Sequence, residues 1–151
     1  MSRRKYSQSG GKAITWMSGF TAHDRCFVCG ASNADGLRLI FEKTEMKILC
    51  RTNLDSRFQG YDGIVHGGTL ASIADATMVN LVYQECGGQP RTCRLEMCYR
   101  VPVHIGDEIM VEASILRSKR HIVWVSCLIA VGNRLCTEAN AVFKIEQEIK
   151  P

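Results

Sequence analysis

Two rhythms of apolar and polar positions divide the chain. From Thr69 to Tyr83 nearly every residue is apolar or small whichever helical face it would occupy, and Asp75 is the one acidic residue in the run. Such a segment reads as a helix buried on all sides rather than an amphipathic surface helix. Gly87, Gly88 and Pro90 follow Cys86 and form a strong stop signal. Beyond them the period changes to two: Cys93, Leu95, Met97, Tyr99 and Val101 alternate with Arg94, Glu96, Cys98 and Arg100, the signature of a strand with one buried face. Pro102 and Gly106 break it. Residues 108–116, 122–131 and 135–145 read as three further strands, with Gly132-Asn133 at one tight connection. Ahead of the helix, residues 37–43 and 46–52 read as a first hairpin.

One helix among about six strands is an α+β arrangement. A helix without a polar face can bury its surface only if a curved antiparallel sheet wraps around it. The 151 residues, 46% hydrophobic and 23% charged, suit a single domain. We place that domain at residues 26–151, behind a flexible arm at 1–25. No apolar run reaches about 18 residues, so no membrane span is expected. Ala13 to Phe20 is short and broken by Thr15 and Ser18, a poor signal core, and the expected location is cytoplasmic.

A net charge of +4 is modest and fits an anionic small molecule; no nucleic-acid partner is expected. The densest basic cluster, Arg117, Ser118, Lys119, Arg120 and His121, reads either as a solvated hairpin tip or as a phosphate contact. Eight cysteines are scattered along the chain, several in apolar runs, and are read as reduced. Cys26 and Cys29 form one Cys-x-x-Cys before Gly30, which could be half of a zinc site or a redox pair. A second pair is missing, and zinc would have to recruit Cys50, Cys86 or a histidine. The pair is therefore read as a structural turn, with no metal and no cofactor assigned.

The chemistry is placed where Gln59-Gly-Tyr-Asp-Gly-Ile-Val-His-Gly-Gly68 runs into the apolar helix. A carboxylate in an apolar environment needs a partner or the edge of a cavity, and such residues are often functional. The plainer alternative for Asp75 is a helix rim touching solvent. Amides at a helix start are unpaired and carry the positive end of the dipole, and glycines there let a ligand approach closely.

Gly63-Ile64-Val65-His66-Gly67-Gly68, Asp75 nine positions after His66, and Thr92 followed by Tyr99-Arg100-Val101-Pro102 resemble the hotdog-fold acyl-CoA thioesterases of the phenylacetate-pathway type. Cys26-Phe27-Val28-Cys29-Gly30, Asn33 and Gly36-Leu37 resemble the entry segment of many bacterial members. The resemblance implies one long central helix wrapped by the sheet. It also implies homodimers joined edge to edge, or dimer-of-dimers tetramers, with active sites between subunits. The implied reaction is hydrolysis of acyl-CoA thioesters to free acid and coenzyme A.

By the same resemblance, Asp75 acts as general base or nucleophile from the opposite subunit on a carbonyl held by the Gly67 amide, with Gly68 in support. His66 either polarises the carbonyl or holds the loop, and Thr92 positions water or the aspartate. Some relatives carry a carboxamide six residues before the histidine, where this chain has Gly60, with Gln59 one position earlier as the candidate. Arg117, Lys119 and Arg120 are candidates for the coenzyme A phosphates. Met78 and Val79 would line the acyl pocket, although core packing explains them equally. Competing readings are a dehydratase or hydratase on the same fold, a non-catalytic acyl-CoA sensor or scaffold, and a zinc or thiol-redox protein built around Cys26 and Cys29.

Overall fold

The computed structural model describes residues 15–17 and 21–146. One α-helix, α1 (Gly67–Cys86), accompanies seven strands: β1 (Thr15–Met17), β2 (Phe41–Lys43), β3 (Lys47–Thr52), β4 (Gln89–Tyr99), β5 (Ile109–Lys119), β6 (Ile122–Val131) and β7 (Arg134–Glu146). All pair antiparallel in one sheet of order β1-β2-β3-β5-β6-β7-β4. β2 to β7 are the six expected strands. β1 falls within the segment read as an arm, where Thr15 to Met17 pair with Lys43 to Phe41; residues 1–14 and 18–20 of that arm lie outside the described residues.

The first hairpin is shorter than its sequence pattern. Leu37 and Leu39 donate their amides to the carbonyls of Phe27 and Val28, and Arg38 adopts a left-handed φ of 49°. The entry segment thus takes the ladder bonds that an earlier start of β2 would have used.

α1 is buried without interruption from Ala76 to Val82. It packs against β3, β4, β5, β6 and β7. Phe41, Ile48, Ile73, Met78, Leu81, Ile109, Ile129 and Phe143 are among the largest fully buried side chains. The helix stops where glycine permits it: Gly87 takes φ 67° and returns its N–H to the Tyr83 carbonyl at 3.0 Å. Pro90 then sits near the start of an edge strand, where a missing amide is tolerated.

All eight cysteines are free thiols; five are buried or half-buried, while Cys86, Cys93 and Cys98 are exposed. Desolvation pushes the Cys50 and Cys127 thiols up to about 12, so both behave as small core hydrophobes. No helix among the described residues is long and apolar enough to cross a membrane.

β4 departs from strict alternation in a way that shapes the site. Thr92 pairs with Phe143 and Arg94 with Val142, leaving Cys93 as an extra residue. The bulge moves exposed Cys93 out of the inward-facing series and brings Thr92 onto the side of Leu95 and Met97, which pack on the core. Because Met78 is fully buried, Met78→Ala should lower unfolding stability by about 2–5 kcal/mol, read as a shift of the denaturant midpoint at unchanged slope.

Candidate functional site

The loop before α1 is tied to itself. Gln59 Oε1 accepts the Gly63 N–H at 3.1 Å, and Gly63 turns the chain with φ 74°. Gly60 N–H reaches the Ile64 carbonyl, His66 N–H the Phe58 carbonyl and Val65 N–H the Val103 carbonyl. These bonds deliver His66 as the N-cap of α1, its Nδ1 accepting the Gly68 N–H at 2.9 Å. An accepting Nδ1 puts the ring proton on Nε2. The imidazole therefore holds the loop, and the Gly68 amide is engaged rather than offered outward.

Gly67 differs. Among the described residues no acceptor takes its N–H. Tyr99 Oη donates to its carbonyl at 2.7 Å, and a Cβ at position 67 would stand 3.3 Å from the tyrosine ring. Burial raises the Tyr99 pKa, which keeps the phenol a donor. A free amide at a helix start, on a residue whose own carbonyl is held by a phenol, is a fixed site for a partial negative charge.

Asp75 lies midway along α1, with Oδ1 accepting from Thr92 Oγ1 at 2.8 Å. Desolvation raises its pKa, opposed by the Thr92 hydrogen bond and by the charge of nearby His23. His23 is shifted down by burial, with Asp75 acting against that shift. Burial dominates both members of the pair. From Gly67 to Asp75 is eight residues, about 12 Å of helix rise. One chain does not bring the two groups to a common carbonyl.

The remaining candidates divide. Met78 and Val79 are core residues. Arg117 stacks on Trp124, 3.7 Å from guanidinium carbon to ring centroid, and Arg120 turns the hairpin tip with φ 56°. Strand register aligns Arg91, Lys144, Ile122 and Lys119 across the sheet, one step from the row of Thr92, Phe143, Val123 and Ser118. Thr92 and buried Phe143 face the helix, so the cationic row lies on the outer face. The cations and Asp75 share one end of the sheet but opposite faces.

Sequence reasoning passed over three side chains that the fold brings to this region. His23, within the presumed arm, sets its Nδ1 3.7 Å from Cys29 Sγ; its spacing of three before Cys26 was the available signal. Asn80, a fully buried polar residue in the apolar run, was legible as an anomaly of the same kind as Asp75. Tyr99 was visible as a member of the alternating series and of the Tyr99-Arg100-Val101-Pro102 motif, with no role of its own.

A raised folded-state pKa means that the Asp75 carboxylate, once ionised, works against folding. No such penalty exists below the unfolded value of about 3.9, and it develops as pH rises through the folded value. Asp75→Asn, which preserves an acceptor for Thr92, should therefore be more stable than the native chain at pH 7. That advantage should shrink towards pH 4 in paired denaturant titrations.

Residues 62–137 match the thioesterase superfamily. Acyl-coenzyme A thioesterase THEM4 of Rattus norvegicus is 29% identical over 107 residues, 70% of this chain and 46% of that protein. The chain thus spans about half the length of this curated relative. Among solved structures, a phenylacetic acid degradation-related protein of Ralstonia eutropha JMP134 superposes with a TM-score of 0.66 at 20% identity, covering 71% of this chain and 84% of that one. The protein smu.793 of Streptococcus mutans UA159, solved bound to acetyl CoA, gives a TM-score of 0.66 at 15% identity, covering 73% and 90%. The helix wrapped by an antiparallel sheet is the hotdog fold that these structures share, and with half of its length matching the family, the chain belongs to the thioesterase superfamily.

Proposed function

We propose that the protein hydrolyses acyl-CoA thioesters to a free acid and coenzyme A. The observation that carries this reading is Asp75: a desolvated carboxylate with a raised pKa, held at one oxygen by Thr92 in the middle of α1. Its second oxygen then works on the substrate side, removing a proton from water or attacking the thioester carbon itself. A raised pKa makes the ionised group a stronger proton acceptor in either route. As the tetrahedral centre forms, charge grows on the former carbonyl oxygen, where the Gly67 N–H donates. Collapse breaks the carbon–sulfur bond and expels coenzyme A as a thiolate; in the direct-attack route this leaves an acyl–Asp75 anhydride, which water then hydrolyses to the free acid and the aspartate.

The 12 Å scale between Gly67 and Asp75 supports a site in which the two come from different copies. β4, which follows α1 and carries Thr92, is an edge strand with most side chains exposed, and a second copy paired along it would meet that need. The proposed assembly is accordingly a homodimer, alone or as half of a tetramer. Arg117, Lys119, Arg120 and the aligned Lys144 would receive the coenzyme A phosphates at the sheet end. THEM4 is named for acyl-CoA thioesterase activity and smu.793 was solved with acetyl CoA, which supports the substrate class.

Loss of thioester absorbance across a panel of acyl-CoAs tests the proposal without thiol-trapping dyes, which the eight cysteines would consume. Hydrolysis by the native protein should fall at least about a hundredfold in Asp75→Asn, equivalent to roughly 2.7 kcal/mol of transition-state stabilisation. Binding of an acyl-CoA without any turnover would instead identify a sensor or scaffold.

A further inference from the structure

His23, Cys26 and Cys29 place one imidazole nitrogen and two sulfurs within 4.8 Å of one another. The edge between Cys29 Sγ and His23 Nδ1 measures 3.7 Å. Ligands at about 2.3 Å for sulfur and about 2.0–2.1 Å for nitrogen, set at a tetrahedral angle around zinc, stand about 3.6 Å apart. That edge already has the length of a coordinated pair.

The surroundings point the same way. Val28 N–H donates to Cys26 Sγ at 3.4 Å, and Gly30 N–H returns to the Cys26 carbonyl at 2.9 Å, closing a tight knuckle. Position 30 admits only glycine, since a Cβ would fall 2.5 Å from both the Asp24 carbonyl oxygen and the Cys26 nitrogen. On the helix side, Asn80 is 0% exposed and directs Nδ2 to Cys29 Sγ at 3.7 Å and to the Ala76 carbonyl at 2.7 Å. Its Oδ1 is buried with no hydrogen-bond partner among the described residues. An unmet buried acceptor costs about 1–3 kcal/mol, so apolar packing does not account for a carboxamide here. An N–H aimed at sulfur is worth most when the sulfur is a thiolate, and outer hydrogen bonds of this kind orient metal ligands.

We propose that His23, Cys26 and Cys29 bind one divalent cation of the zinc class, with Asn80 as the donor that orients Cys29 and a fourth position for water. The two thiols release their protons to solvent on binding. An S₂N donor set suits a borderline-soft ion and disfavours magnesium or calcium. The bound ion would fasten the 23–30 segment beside α1, close to Asp75. The three ligands lie outside the residues that match the family, 62–137, with Asn80 inside them, and the site stands whether or not the protein hydrolyses thioesters.

The test loads the full chain, kept reduced, with Zn²⁺ or Co²⁺, removes free metal by desalting and measures retained metal by elemental analysis. The native chain should hold about one ion, and its Co²⁺ form should show sulfur-to-cobalt charge transfer with the strong visible bands of a tetrahedral site. Cys26→Ser and His23→Ala, both at half-buried positions, should each weaken metal retention at least about tenfold. The exposed pair Cys93→Ser with Cys98→Ser should leave it unchanged. Should one ligand variant fail to fold, the other and the native cobalt spectrum still decide. The proposal is overturned if the reduced native chain retains no more metal than Cys26→Ser, or if the Cys93 and Cys98 substitutions remove it equally.

Discussion

A helix with no polar side is the constraint from which the rest of this molecule follows. From Ala76 to Val82 α1 is apolar but for Thr77 and Asn80 and buried throughout, so the chain must surround it, and apolar burial of that extent is the dominant favourable term in such a fold. The antiparallel sheet supplies most of the cover and the 23–30 entry segment contributes more through Val28 and Cys29. The polar side chains in the middle of α1 are thereby forced into specific relationships. Thr77 bonds back to the Ile73 carbonyl, Asp75 finds Thr92, and Asn80 finds Ala76 and Cys29.

The start of the same helix obeys the opposite rule. Orphan amides are unavoidable there, and the loop deals with them selectively: His66 takes the one at Gly68, while that of Gly67 is left over and steadied through Tyr99. Rigidity comes from short-range backbone bonds between residues 58 and 66, which position a donor without committing it. One helix therefore carries a carboxylate in its interior stretch and a free amide donor at its tip, separated by about two turns.

Much of this was legible in the chain. The all-apolar run between His66 and Gly87 announced a central helix, and alternation announced the strands, because both periods are imposed by burial and survive in residue order. The isolated acid in the apolar run marked Asp75. What escaped was whatever depends on contacts between distant segments. His23 looked like arm because nothing local ties it to Cys29 or Asp75, and the early start assigned to β2 ignored competition from Phe27 and Val28 for the same amides. Asn80 was passed over although the reasoning applied to Asp75 covered it equally.

The bulge at Cys93 has a bearing on how the family can vary. Since the alternation of a strand has a period of two, Thr92 and Leu95, three positions apart, share the inner face only because Cys93 is bulged. Regular pairing of Cys93 with Phe143 would carry Thr92 to the outer face, away from Asp75, whereas deleting residue 93 would leave Thr92 facing the helix. The contact between Thr92 and Asp75 thus depends on how β4 is paired as well as on residue identity. A chain that keeps the threonine and the aspartate at this spacing but pairs β4 without the bulge has kept the letters and lost the phase.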